Sequence, residues 1–140
     1  MADTAVFQMN LRELSEFSKA VRQASPAVAR GFKAELRKGG NMVAMAARVG
    51  SSWSSRIPGS IKVRTSGFSV SVIAGGANAP HAAPYEHDGV PGSFRHPVFG
   101  NREVWVPQKA RPFLRPAFEA EQPAIVRGVI NALDYVFDHL

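Results

Sequence analysis

Ile61-Lys-Val-Arg-Thr-Ser-Gly-Phe-Ser-Val-Ser-Val-Ile-Ala74 holds two short runs in which apolar and polar residues alternate, Ile61 to Thr65 and Phe68 to Ala74. A period of two is that of a strand with one buried face, and the Ser66-Gly67 pair between the runs closes a hairpin. An antiparallel sheet therefore lies near the middle of the chain, and what flanks it sets the rest of the fold. Upstream, Gly50 to Ser60 reads Gly-Ser-Ser-Trp-Ser-Ser-Arg-Ile-Pro-Gly-Ser, the composition of a loop. Before that loop, Ser25-Pro26 supplies a cap and a first-turn proline, and Val28, Phe32, Leu36, Val43 and Ala47 carry an apolar stripe at helical spacing as far as Val49. Gly39-Gly40 interrupts this helix at about 1 kcal/mol per glycine relative to alanine, so a bend or break is expected there. Asn10, with Glu13 three positions on, caps an earlier amphipathic helix over about residues 11–24, with Leu11, Leu14, Phe17 and Val21 on one face.

Downstream of the hairpin, residues 75–100 are rich in Gly, Pro, Ala and His without periodicity, which predicts a long loop over about 77–102. Glu103-Val-Trp-Val-Pro107 reads as a third strand, followed by a proline-bounded link from Gln108 to Pro116. A last helix is expected from about Ala117 to Asp138, with Ile125, Val129, Leu133 and Val136 on one face and Val126, Ile130 and Phe137 widening it. Pro123 falls in its first turn or kinks it. The order predicts an α+β fold: a small antiparallel sheet, hairpin plus a further strand, packed with two N-terminal helices and one C-terminal helix. With 140 residues, 45% of them hydrophobic, the chain suits a single domain over 1–140.

Composition narrows the chemistry. The chain has no cysteine, which excludes disulfides, thiolate zinc sites and a cysteine nucleophile. No apolar run approaches the roughly 20 residues that cross a bilayer, and Met1-Ala-Asp-Thr lacks the basic-then-apolar order of a signal peptide, so a cytoplasmic site of synthesis and use is expected. The net charge of +6 is unevenly spread: residues 1–64 hold eleven Lys/Arg against four Asp/Glu, residues 65–140 six against seven. Such an asymmetry can be a solvated basic face, a surface for nucleic acid, or, in a ring, an attraction between unlike faces of neighbours.

Two separated strings carry a resemblance. Ala83-Pro84-Tyr85-Glu86, then a glycine-containing stretch, then Arg111-Pro112-Phe113-Leu114-Arg115-Pro116-Ala117 resembles the signature of the siphophage tail-component family encoded between head-connector and major-tail genes. Arg95-His-Pro-Val-Phe-Gly-Asn-Arg102 and Trp105-Val-Pro-Gln108 are similar to the version found in phages of actinobacteria. The likeness spans about residues 60–125; where the family has a Glu-Phe-Gly-Thr run after the tyrosine, this chain has Glu86-His87-Asp88-Gly89. The resemblance implies a virion structural protein of the head-to-tail junction: a tail-completion, tail-terminator or head-tail connector protein, commonly a hexameric ring. Expected partners are copies of itself and the neighbouring connector, terminator or major tail proteins, in the virion neck or tail after assembly in the host cytoplasm.

Physical chemistry gives the same residues work of their own. Pro112 and Pro116 set the direction of the last helix, and Phe113 and Leu114 can anchor it on the sheet. Arg111 and Arg115 are held by flanking prolines and suit carboxylates of a neighbour. Tyr85, Phe94, His96, Phe99 and Trp105 place more rings along the long loop than water favours, so a partner surface is expected. His81, His87 and His96 with Glu86 and Asp88 form the one candidate metal set, at spacings that match no ligand motif. No nucleophile motif, phosphate loop or carboxylate pair accompanies them, so neither enzymatic activity nor a cofactor is expected. The alternative from another class is a DNA-binding protein using Arg12, Lys19, Arg22, Arg30, Lys33, Arg37 and Lys38 on the N-terminal helices. The same residues could face a neighbour or DNA in a ring lumen.

Overall fold

A computed structural model of the chain describes residues 4–10, 26–67, 69–98 and 101–138. The expected first helix, with Arg12, Lys19 and Arg22, lies outside them, as does Phe99. The fold is α+β. Strand β1 (Thr4–Asn10) is followed by helix α1 (Pro26–Gly50), a single-turn helix α2 (Ile57–Ser60), strands β2 (Lys62–Ser66) and β3 (Ser69–Gly75), and a short helix α3 (Ala82–Glu86) running into a 3-10 turn at His87–Gly89. Strands β4 (Ser93–Val98) and β5 (Asn101–Lys109) then precede helix α4 (Leu114–Asp138).

The hairpin forms as its alternation predicts. β2 pairs antiparallel with β3 from Lys62 opposite Ile73 to Ser66 opposite Ser69. β3 is the central strand of a three-stranded sheet in the order β1-β3-β2, with Thr4 opposite Gly75 and Asn10 opposite Ser69 on its other side. Val70, Val72 and Ala74 alternate into the core, whereas β2 is exposed along most of its length and carries Lys62 and Arg64, charges that discourage a further strand from adding to that edge.

The third expected strand is present but joins a different sheet. β5 pairs with β4 in a separate two-stranded ribbon, Ser93 opposite Lys109 and Val98 opposite Asn101, with a register shift between Pro97 and Val98. The expected long loop over 77–102 is corrected accordingly: it contains α3, the 3-10 turn and all of β4. Closing β4 onto a strand a few residues away costs less chain entropy than reaching a distant sheet edge that is already charged.

Helix α1 runs unbroken through Gly39-Gly40, contrary to the expected bend or break. Both glycines are buried, and a Cβ on Gly39 would sit 3.1 Å from Cγ1 and Cγ2 of Ile125. The glycine is there for the close approach of α4, which lies antiparallel to α1: Gly50 faces Phe113, Gly39 faces Ile125 and Glu35 faces Gly128. Packing recovers what the glycines lose in helix propensity. Gly39→Val should therefore push the helices apart and lower stability by about 1–3 kcal/mol in urea unfolding. Gly31→Ala, where an added Cβ meets nothing within 4 Å, should raise stability by about 0.5–1 kcal/mol.

The core gathers Phe32, Leu36, Val43 and Ala47 of α1, Ile57, Val70 and Val72, and Phe113 and Leu114 at the start of α4. The α1 stripe is the one its spacing predicts, with Val28 only half-buried. On α4, Val129 is buried and Ile125 packs on the core, but Val126 and Ile130 are exposed, because the helix meets its neighbours along one stripe only. Pro123 lies in the interior of α4 and not in its first turn. In the expected loop 50–60, the Ser54 hydroxyl accepts the amides of Arg56 and Ile57, and burial of Ile57 secures the single turn of α2. The Arg48 guanidinium donates to the Ile61 carbonyl at 2.9 Å and ties the end of α1 to the start of β2.

Candidate functional site

The two strings that carry the family resemblance lie against each other. Helix α4 starts at Leu114 without a Ser, Thr, Asp or Asn before it, so its first amides need an acceptor from elsewhere. Glu86, at the end of α3 and 5% exposed, supplies it. One carboxylate oxygen accepts the N–H of Phe113 at 2.8 Å and of Leu114 at 2.9 Å, and the other accepts the N–H of Arg115 at 3.0 Å. A negative charge on the axis of a helix N-terminus also meets the favourable end of the helix dipole. Beside it, the Arg111 amide donates to the Tyr85 carbonyl at 2.8 Å. Ala83–Glu86 and Arg111–Pro116 thus form one joint, with Phe113 and Leu114 buried beneath it as the expected anchors, Pro112 half-buried and Pro116 exposed in the first turn of α4.

Beyond Glu86 the chain turns sharply through His87 and Asp88, both left-handed at φ 52° and 54°, to Gly89 at φ 78°. A Cβ on Gly89 would lie 2.4 Å from Cδ of Arg115, so glycine here lets the turn close against α4.

This arrangement disperses the candidate metal set. Glu86 is committed to three amides, His81 Nε2 is 3.2 Å from the Ser54 hydroxyl, and His87 Nδ1 is 3.1 Å from the Val90 carbonyl. Among the described residues no group of three His, Asp or Glu side chains could hold a metal ion.

An aromatic cluster covers the outside of the joint. Tyr85 packs against Trp53 with ring centroids 4.7 Å apart and meets Phe94 edge-on at 4.9 Å; His81 adds an edge contact at 6.0 Å, and His96 lies 6.3 Å from Phe94. The Arg111 guanidinium sits 4.2 Å above the Trp53 ring. A groove of about 470 Å³, lined by Ser55, Arg56, His81, Tyr85, Phe94 and His96, opens beside the cluster. Tyr85, expected at a partner surface, is half-buried and forms the centre of the cluster between Trp53 and Phe94. Trp105, on β5 of the ribbon, is 50% exposed and its neighbour Val104 46%.

The two arginines of the joint also find partners within the chain. Arg111 stacks on Trp53, and Arg115 pairs with Glu119 one turn along α4 at 3.4 Å, an exposed pair worth little. Arg30, Lys33, Arg37 and Lys38 are exposed on the side of α1 away from its buried stripe. Sequence reasoning missed three contributors: Glu86 as a cap, Trp53 as the platform for Arg111, and Arg56 at the groove. The cap left one signal, a helix start with no local acceptor; the other two left none.

No helix among the described residues is long and apolar enough to cross a membrane. No protein-family model, curated protein or solved structure matches this chain.

Proposed function

We propose that this chain is a non-catalytic structural component of the head-to-tail junction of a long-tailed phage, forming a ring, hexameric in keeping with the resemblance, as a tail-completion, terminator or connector protein. The observation that carries the reading is the joint: the two motif strings on which the resemblance rests are in direct contact through Glu86 and Tyr85, so they act as one structural unit. The surface is in keeping with assembly. A two-stranded ribbon is marginal in water by itself, and this one carries half-exposed Trp105 and Val104 at its side. Met45 with Val49 on α1, and Val126 with Ile130 on α4, add exposed apolar pairs one helical turn apart. Aromatic anchors set in polar surroundings are the usual source of interface affinity.

The test is assembly of the purified protein with the neck and tail proteins of its own genome, followed by light scattering. Trp105→Ala together with Val104→Ser should lower ring formation at least tenfold while the thermal midpoint stays within a few degrees of the parent. A parent protein that remains monomeric with every partner, yet binds one defined DNA sequence, would overturn the reading in favour of a DNA-binding protein.

A further inference from the structure

A second concavity, of about 670 Å³, opens where α2 and the end of β3 face each other. Arg56 and Lys62 stand among its lining residues, with Gly76, Ala77 and Asn78 of the turn after β3. None of the described residues lining it is acidic. Among the described residues, neither Arg56 nor Lys62 enters an ion pair, and the backbone N–H groups of Ala77 and Asn78 have no acceptor. Ser60 ties the cleft together: its hydroxyl donates to the Ile57 carbonyl at 2.7 Å and accepts the Gly75 amide at 3.0 Å.

Two unpaired cations, two unengaged amides and a carboxamide that can turn its NH2 toward a ligand make a lining rich in donors, which suits an anion with several oxygens. Guanidinium and ammonium groups beside backbone amides are the donor set that holds phosphate. Ser60 fixes the backbone of the cleft before any ligand arrives, so the ordering cost of binding falls on the Arg56 and Lys62 side chains. Arg56 also borders the groove of Tyr85 and Phe94, so a strand leaving the cleft would meet ring faces next. Both cations belong to the strongly basic first 64 residues, as does the exposed basic side of α1. That excess of positive charge favours a polyanion over a single carboxylate of a neighbouring subunit.

We propose that this cleft is a phosphate-binding site that takes a phosphodiester group of DNA. The assignment of DNA as the source rests on the head-to-tail reading above, in which DNA passes the assembled ring.

The experiment titrates the full chain with inorganic phosphate and, separately, with a 20-base-pair duplex, following the amide resonances of Ala77 and Asn78 and the duplex affinity at several salt concentrations. Both ligands should shift the two amides. The Arg56→Ala/Lys62→Ala variant, checked for an unchanged fold by circular dichroism, should lose the shifts, bind the duplex about tenfold more weakly at low salt, and show a log-log salt slope smaller by about 2. The charge-matched Arg37→Ala/Lys38→Ala variant should keep the amide shifts. Shifts with phosphate but not with the duplex would make this a site for free phosphate and overturn the DNA assignment. Absence of both, or a double variant that loses only ring assembly, would overturn the site itself, the latter by giving the cleft to a neighbour's carboxylate. Assembly is read independently. Duplex-induced shifts in a chain that never forms rings leave the cleft standing and remove the ring, while rings without shifts do the reverse.

Discussion

Glu86→Ala should lower the unfolding free energy by about 3–4 kcal/mol in urea titration, the largest effect expected of any polar side chain described. The carboxylate is buried and serves the first three amides at the α4 end, Phe113, Leu114 and Arg115. Its loss strands donors where water has little access, at about 1–3 kcal/mol for each unsatisfied group, partly offset by relaxation. An ordinary cap lost from an exposed helix costs about 1 kcal/mol, so a measured loss below that figure would mean the joint is not held by this residue. Glu86→Gln should cost about 2–3 kcal/mol, because the amide keeps one acceptor and turns an NH2 toward backbone donors. The joint is also where the resemblance motifs meet, so Glu86→Ala should loosen the segment from Tyr85 to Leu114 first, seen as amide exchange faster there than in β3.

Phe113→Ala is expected to cost about 3–5 kcal/mol, the usual range for removing a fully buried aromatic. Phe113 is 2% exposed and lies in the cluster that joins α1, the sheet and the start of α4. Alanine keeps the N–H that bonds to Glu86, so this substitution removes the anchor and leaves the cap. Against a typical total of about 5–15 kcal/mol, the loss takes a large share of the stability. Glu86→Ala and Phe113→Ala act on the same helix start, so their combined cost should fall short of the sum by about 0.5–3 kcal/mol in a double-mutant cycle. Strict additivity would show that cap and anchor are independent, and a Phe113→Ala cost under about 1.5 kcal/mol would place the side chain outside the core.

Surface residues were the least legible part of the candidate site. Arg111 and Arg115, expected at a contact with a neighbour, stay exposed, and within the chain one stacks on Trp53 and the other pairs with Glu119. An exposed arginine has many partners of nearly equal energy within reach, so its type and spacing do not select one. His81, His87 and Glu86 suggested a ligand set because they are near in sequence. Their side chains go three ways because each meets a different segment: His81 meets Ser54, Glu86 the start of α4, and His87 the Val90 carbonyl.

By itself the sequence determined the elements long enough to have a period. The alternation of Ile61 to Ala74 specified the hairpin and the buried Val70, Val72 and Ala74, and the stripe of Phe32, Leu36, Val43 and Ala47 specified α1 and its buried side. The Phe113-Leu114 pair was readable as an anchor because two large apolar residues between prolines have few other uses. Tertiary structure alone decided the addition of β1 to β3, the single turn of α2, the five residues of α3, the separate β4–β5 ribbon and the capping of α4 by Glu86. The short helices show no period, β1 and the α4 cap are held by groups 27 or more residues away, and the ribbon's strands lack the alternation that would mark them. The long-range contacts form only when the core brings distant segments together, and local propensity carries no record of them.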